Sequence, residues 1–165
     1  MIELAVDSVQ VSLISNQRVV LLKERNADRY LPIWIGPSEA DAIALELGEA
    51  SIARPLTHDL LKSIILELGG TVSYVLINAL SSNTFYARIV LEVNGEITDI
   101  DSRPSDAIAL AVRTKSPVFV SEEVMEQASI IESPEIGRSA EIEGEQEEDD
   151  SLGAFRDFVD SLDLD

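Results

Sequence analysis

The phrase Asp-Ala-Ile-Ala-Leu occurs twice in this chain, at residues 41–45 and again at residues 106–110. Each copy follows a similar succession of patterned segments, and that constrains the fold more than any other feature. Before the first copy, Ile2, Leu4 and Val6 alternate with Glu3 and Asp7, and then Val9, Val11 and Leu13 alternate with Gln10 and Ser12. Period-two alternation rich in β-branched residues predicts a strand, because successive side chains point to opposite faces. Such a strand has room to bend at Asp7-Ser8. Asn16-Gln17 then reads as a turn into a strand over Val19–Lys23, followed by a third over Leu31–Ile35. Pro32 lacks an N–H, which places that third strand at a sheet edge or at its own beginning. Before the second copy, strands are predicted over residues 71–80, 85–93 and 97–100, with Asn94-Gly95 as a two-residue hairpin turn. The copies lie 65 residues apart with matching elements ahead of them. The expected fold is therefore α+β: a mixed, largely antiparallel sheet from two duplicated three-strand-plus-helix halves, with helices packed on the sheet.

The repeated phrases themselves predict Ala-rich helices over residues 39–47 and 104–113. They are apolar on most sides and so expected between layers, where small side chains allow close approach. Between the halves a further helix starts at Thr57 as N-cap, buries a face of Leu60, Leu61, Ile64, Ile65 and Leu68, and stops at Gly69-Gly70. After the second copy, a short strand is expected at Val118–Val120. A last helix is expected after Ser121, whose hydroxyl can cap a first turn containing Glu122 and Glu123.

With 165 residues, 45% of them hydrophobic, the chain can bury one core. It has no cysteine, which excludes disulfides, zinc-thiolate sites and cysteine nucleophiles. The N-terminus lacks the basic and apolar regions of a signal peptide, and no apolar run reaches the length of a membrane span, so a cytoplasmic protein is expected. The net charge is −19 but unevenly placed. Residues 1–132 hold 19 acidic and 10 basic residues, whereas residues 133–165 hold 12 acidic and 2 basic ones. Three parts are expected: a folded domain over 1–132, an acidic disordered linker over 133–150, and a short amphipathic segment over 151–165. In the last, Leu152, Phe155, Phe158, Val159 and Leu162 recur at helical spacing, as in elements that dock on a protein partner or on their own domain. Even without the tail, the domain shows no basic stripe to attract a duplex.

Aligned at Asp41 and Asp106, the two helix starts differ. In the first, Ser38 falls at the N-cap and Asp41 at N3. In the second, Pro104 falls at N1, Asp106 at N3 and Arg103 at the N-cap. Arginine has no acceptor with which to cap, and its charge meets the positive end of the helix dipole. A residue placed against a local rule either pairs with a neighbouring carboxylate (Asp99, Asp101 or Asp106 here) or serves a site. In the second case Arg103 faces a groove and holds an anion such as phosphate. The one histidine, His58, falls in the first turn of the Thr57 helix, where a surface position and a neutral ring are expected. It is read either as a solvated residue or as an acid–base group, with Arg54, Asp59 and Glu39 in the surrounding pattern.

Three co-linear stretches resemble the bifunctional nuclease domain family. They are Tyr30–Gly36 leading to Glu39-Ala40, Arg54-Pro55-Leu56-Thr57-His58-Asp59-Leu60, and Ile100 through Ala109. The resemblance runs through roughly residues 1–130 and leaves the tail uncovered. It implies a wedge-shaped homodimer with a grooved active site and nuclease activity on DNA and RNA. Carried onto matching positions, the polar motif residues are Glu39, Arg54, Thr57, His58, Asp59, Asp101, Arg103, Ser105 and Asp106. Phosphodiester hydrolysis needs an activated water, a stabilised phosphorane charge and a protonated leaving group. On that basis His58, Asp59, Asp101 and Arg103 are the expected catalytic residues, and Arg54, Thr57 and Ser105 the expected substrate contacts. Glu39 and Asp106 are the expected oxygen ligands of a divalent cation, magnesium or manganese. The competing expectation is a non-catalytic dimeric binding or regulatory module whose acidic tail docks a partner.

Overall fold

The computed structural model describes residues 1–11 and 16–131. In chain order the strands are β1 (Ile2–Val11), β2 (Arg18–Glu24), β3 (Arg29–Ile35), β4 (Gly70–Ser81), β5 (Thr84–Val93), β6 (Glu96–Ser102), β7 (Val118–Val120) and β8 (Ile130–Ile131). The helices are α1 (Pro37–Leu47), α2 (Thr57–Glu67), α3 (Pro104–Thr114) and α4 (Glu122–Ala128). The strands form one sheet in the order β6-β5-β4-β7-β1-β2-β3-β8. Every neighbouring pair is antiparallel except β4 with β7. This is the mixed, largely antiparallel α+β architecture expected from the alternation. The strands β1-β2-β3 form a meander followed by α1, and β4-β5-β6 form another followed by α3. Strand β7 lies between β1 and β4. Helix α1 rests on β1 and β2, α3 rests on β4 and β5, and the two helices pack on each other.

One face of the sheet carries the core. Leu4, Val20, Leu22, Leu31, Ile33, Val75, Ile77, Ala87, Ile89, Leu91, Val118 and Val120 pack with Ile43 of α1, with Ala107–Ala111 of α3 and with Val124 and Met125 of α4. In the register, Val118 lies opposite both Leu4 and Val75, while Val120 lies opposite Ile2 and Ile77. The phase change in β1 has a physical cause. The β1–β2 register shifts between Val6 and Ser8, so exposed Asp7 forms a bulge. Apolar residues at even positions 2, 4 and 6 thereby hand over to the odd position Val9 on the same face. Pro32 is accommodated because β8 pairs with Arg29 and Tyr30, leaving the rest of β3 without a neighbour on that side among the described residues. At the expected hairpin Asn94 and Gly95 have φ of 53° and 82°, the primed-turn geometry. Ser82 and Asn83, at φ 48° and 60°, make a second such turn between β4 and β5. β8 is a further element that the pattern does not announce.

Three helix expectations need correction. Helix α1 begins at Pro37 with Gly36 as N-cap, so Ser38 is N2 and Asp41 lies exposed in the second turn. Of the two Ala-rich helices, only α3 is enclosed on most sides; α1 buries Ala40, Ala42 and Ile43 and leaves Asp41, Ala44 and Leu45 exposed. Helix α2 takes Leu56, not Thr57, as its N-cap, because Asp59 at N3 reaches back to accept the Leu56 N–H at 2.8 Å. Its apolar residues also divide. Leu61 and Ile65 meet the core, while Leu60, Ile64 and Leu68 are 55%, 46% and 72% exposed. The helix lies on α3 and β4 along one seam, and at 100° per residue the 60/64/68 row turns away from it. The linker and amphipathic segment expected over 133–150 and 151–165 lie outside the described residues. Among the described residues, no helix is long and apolar enough to cross a membrane.

Candidate active site

Each of the helices α1, α2 and α3 carries an acid at N3: Glu39, Asp59 and Asp106. A carboxylate in the first turn is favoured by the free amides and the dipole there. In this fold each also reaches across to another helix. The two halves are better matched by this feature than by the repeated phrase. Pro37-Ser38-Glu39 and Pro104-Ser105-Asp106 occupy N1 to N3 of their helices, an offset two residues longer than that of Asp-Ala-Ile-Ala-Leu.

The N3 acids of α1 and α3 converge on Arg103. Its Nη2 lies 2.7 Å from Glu39 Oε1, and its Nε donates to Asp106 Oδ2 at 2.8 Å. Those hydrogen bonds, from Glu39 first and then Asp106, hold the Arg103 guanidinium above its ordinary pKa. A cation at the N-cap is thus compensated by two carboxylates, yet the side chain remains 66% exposed. Glu39 is folded back over its own helix start, where a Cβ on Gly36 would collide with Oε2. The other oxygen of Asp106, Oδ1, lies 3.0 Å from His58 Nε2. This gives one continuous row across three helix starts: His58, Asp106, Arg103, Glu39.

His58 is not at the surface; it is 6% exposed. A carboxylate only accepts, so Nε2 carries the proton in this contact, and Nδ1 is buried without a partner among the described residues. The ring therefore orients Asp106 from behind, while Arg103 and the 30%-exposed Asp106 face outward.

A second network lies behind the first. Arg113 of α3, with its side chain 2% exposed, donates from Nε to Asp59 Oδ1 at 2.7 Å. It also donates from Nη1 to Ala109 O at 2.9 Å and from Nη2 to Ala42 O at 3.0 Å. Lys62 Nζ donates to Arg113 O at 2.8 Å. These bonds tie α1, α2 and α3 together and satisfy a guanidinium that would be costly to bury alone. Burial works to raise the Asp59 carboxyl, but the Leu56 amide and the Arg113 guanidinium hold it below the usual carboxylate range.

The structure thus separates the residues that the sequence grouped. Glu39, His58, Arg103 and Asp106 meet, and Ser105, 7% exposed, lines the cleft beside Arg103. Asp59 belongs to the buried tie. Arg54 lines a separate cleft with Asp59, Glu46 and Arg113, and Thr57 is exposed at the first position of α2. Asp101 lies opposite Arg88 on β5, within 4.0 Å of its Nε, and so on the sheet face away from the core. Sequence reasoning missed Arg113 altogether; a lone arginine in an alanine helix was its only signal. A magnesium or manganese ion on Glu39 and Asp106 does not fit this arrangement. Both carboxylates close on one guanidinium, whose charge stands where a cation would, and no three His, Asp or Glu side chains group as a ligand set among the described residues.

The site is thus an outward arginine between two carboxylates, one of them backed by a histidine, at the starts of three helices of an α+β domain. The comparison with known proteins then fixes its relationship. The chain belongs to the bifunctional nuclease domain family, whose model matches residues 20–133. It is 42% identical over 163 residues to the uncharacterized protein Rv1829 of Mycobacterium tuberculosis, a match covering 97% of this chain and 94% of the relative. It is 32% identical over 105 residues to Bifunctional nuclease 2 of Oryza sativa subsp. japonica, and 30% identical over 105 residues to Bifunctional nuclease 1 of Arabidopsis thaliana. Those two matches cover 62% of this chain and 32% of each plant protein.

Proposed function

We propose that this chain is a nuclease that hydrolyses phosphodiester bonds of DNA and RNA at the row formed by His58, Asp106, Arg103 and Glu39. The observation that carries the reading is the exposed Arg103 guanidinium held between two carboxylates at the meeting point of two helix N-termini, within a chain of a nuclease-domain family. A phosphate entering from solvent exchanges with the carboxylates for Arg103, which can clamp two of its oxygens. Asp106, released from Arg103 but still held by His58 Nε2, takes a proton from the attacking water as the P–O bond to the leaving oxygen breaks, and that oxygen takes up a proton from solvent. Ser105, beside Arg103 in the cleft, donates its hydroxyl to the substrate. His58 is a positioning residue in this scheme, and no step is routed through a metal ion. Cleavage of labelled RNA and DNA by the purified chain, beside Arg103→Lys and Asp106→Asn, tests the reading. Arg103→Lys keeps charge but loses the fork geometry, so activity should fall while folding is retained.

The reading includes a homodimer. Leu60, Ile64, Leu66 and Leu68 of the α2 region, with Leu45, Leu47 and Ile52 nearby in sequence, stand exposed, as do Tyr86, Ile97 and Ile100 on β5 and β6, and apolar surface of this extent is what a second copy would cover. A cytoplasmic setting is part of the same proposal. One observation favours a non-catalytic binding or regulatory module instead: the Arg103 cluster is fully paired within the chain and can serve as a clasp between α1 and α3. Under that alternative, Arg103→Ala would loosen the domain, and the unsubstituted chain would cleave nothing.

A further inference from the structure

A cleft of about 510 Å³ opens beside Arg103, bounded by the start of β2, the end of β3, the β4–β5 turn and the N-termini of α1 and α3. Its polar lining includes Arg18, Asn83, Thr84, Arg103 and Ser105, with Trp34 and Phe85 on the apolar side. Among the described residues no acidic side chain lines it, and Glu39 and Asp106 meet it only through their bonds to Arg103. Arg18 is the telling member. Among the described residues, Arg25, Arg29, Arg88, Arg103 and Arg113 each pair with a carboxylate, whereas Arg18 in this cleft and Arg54 in the other pair with none. Its Nη1 donates to Asn16 O at 2.7 Å and to Asn16 Oδ1 at 3.0 Å, which fixes the side chain, while its Nε is buried without an acceptor among those residues. Two helix N-termini open on the same space, and neither Gly36 nor Arg103 supplies a side-chain cap. The charge of Arg18, two helix starts whose N-cap residues offer no side-chain cap, and a wall without acids among the described residues favour the same kind of occupant, an anion.

We propose that this cleft is a second phosphate subsite, in which Arg18 holds a phosphodiester group of the same nucleic-acid strand that Arg103 engages at the point of cleavage. The ligand's identity rests on the nuclease reading; the anion preference rests on the cleft itself. The subsite also explains how a chain of net charge −19 retains a nucleic-acid substrate without a basic surface: attraction is confined to one cleft that gathers Arg18 and Arg103.

Fluorescence anisotropy with a labelled oligonucleotide, using the full chain at several salt concentrations, tests the proposal. Arg18→Ala should weaken binding about tenfold or more and lower the salt slope by roughly 0.7, the loss of one single-strand phosphate contact. Asn83→Asp puts a negative charge into the cleft at a left-handed turn position that aspartate tolerates, and should weaken binding similarly without removing the Arg18–Asn16 bonds. In cleavage assays, Arg18→Ala should raise KM by more than it lowers kcat. Strand binding that depends on Arg18 in a chain that cleaves nothing would retain the subsite and remove the nuclease reading. Cleavage with unchanged KM in both variants would remove the subsite and leave the nuclease reading standing. Inorganic phosphate displacing the oligonucleotide at equal concentration would also overturn the proposal, because a strand-reading subsite must prefer the linked phosphate.

Discussion

Arg103 occupies the helix position where a cation is least favoured, and Glu39 and Asp106 compensate for it from two different helices. Removing the guanidinium leaves two carboxylates facing each other at helix starts, which is the beginning of a cation site. Magnesium should therefore raise the melting temperature of Arg103→Ala while leaving that of the unsubstituted chain unchanged, a difference read directly by thermal unfolding. An equal shift in both proteins would show that Arg103 does not stand in for a cation. The arginine was legible as an anomaly from sequence, since it sits before Pro104 where a capping side chain belongs. Its partner Glu39 was not, because 64 residues separate them and only the packing of α1 on α3 brings them together. The depth of His58 was equally hidden. A first-turn position reads as surface until α3 is laid across it.

At the scale of elements, the buried Arg113–Asp59 pair fixes how α1, α2 and α3 meet, and so fixes the spacing of the row above it. Asp59→Asn leaves an enclosed guanidinium without its counter-charge and should cost about 3–5 kcal/mol in urea unfolding. Because the folded Asp59 carboxyl lies below its usual value, the folded state binds the proton less readily than the unfolded chain. Its stabilising contribution is therefore present above about pH 4, the usual aspartate value, and is lost as pH falls through the folded value. Asp59→Asn should flatten that acid limb; an unchanged limb would place the acid sensitivity elsewhere. The strands other than β8 were legible from runs of β-branched residues, period-two alternation and turn signals, and even the β1 bulge was written into the change from even to odd positions. The helix starts were misread because the repeated phrase drew the alignment to Asp41. The Pro-Ser-acid triplet is the matched unit, and only the observed first turns reveal it.

Across the described residues, one sheet face gathers a single core, and the candidate site lies where α1 and α3 begin. The described residues already enclose that core without the acidic tail. Cutting the chain after about Ser133 should therefore shift the melting temperature by less than about 5 °C, which is on the order of 1 kcal/mol for a domain of this size. A larger drop would mean that the tail packs on the domain. Sedimentation at micromolar protein tests the exposed α2 row in the same way. The homodimer reading predicts a mass well above the 18.0 kDa of one chain, and a mass near 18.0 kDa would contradict it.

In the proposed hydrolysis Asp106, oriented by His58 and freed from Arg103 by the incoming phosphate, takes the proton of the attacking water. The most direct measurement is the single-turnover cleavage rate of labelled RNA and DNA by the unsubstituted chain and by Asp106→Asn, with melting temperatures recorded on both. Asparagine keeps the size of the side chain and an oxygen for His58 but cannot take a proton. Cleavage by the unsubstituted chain and a loss of about 10²–10⁴-fold in a stably folded Asp106→Asn is the predicted result. Equal rates in the two folded proteins would contradict it.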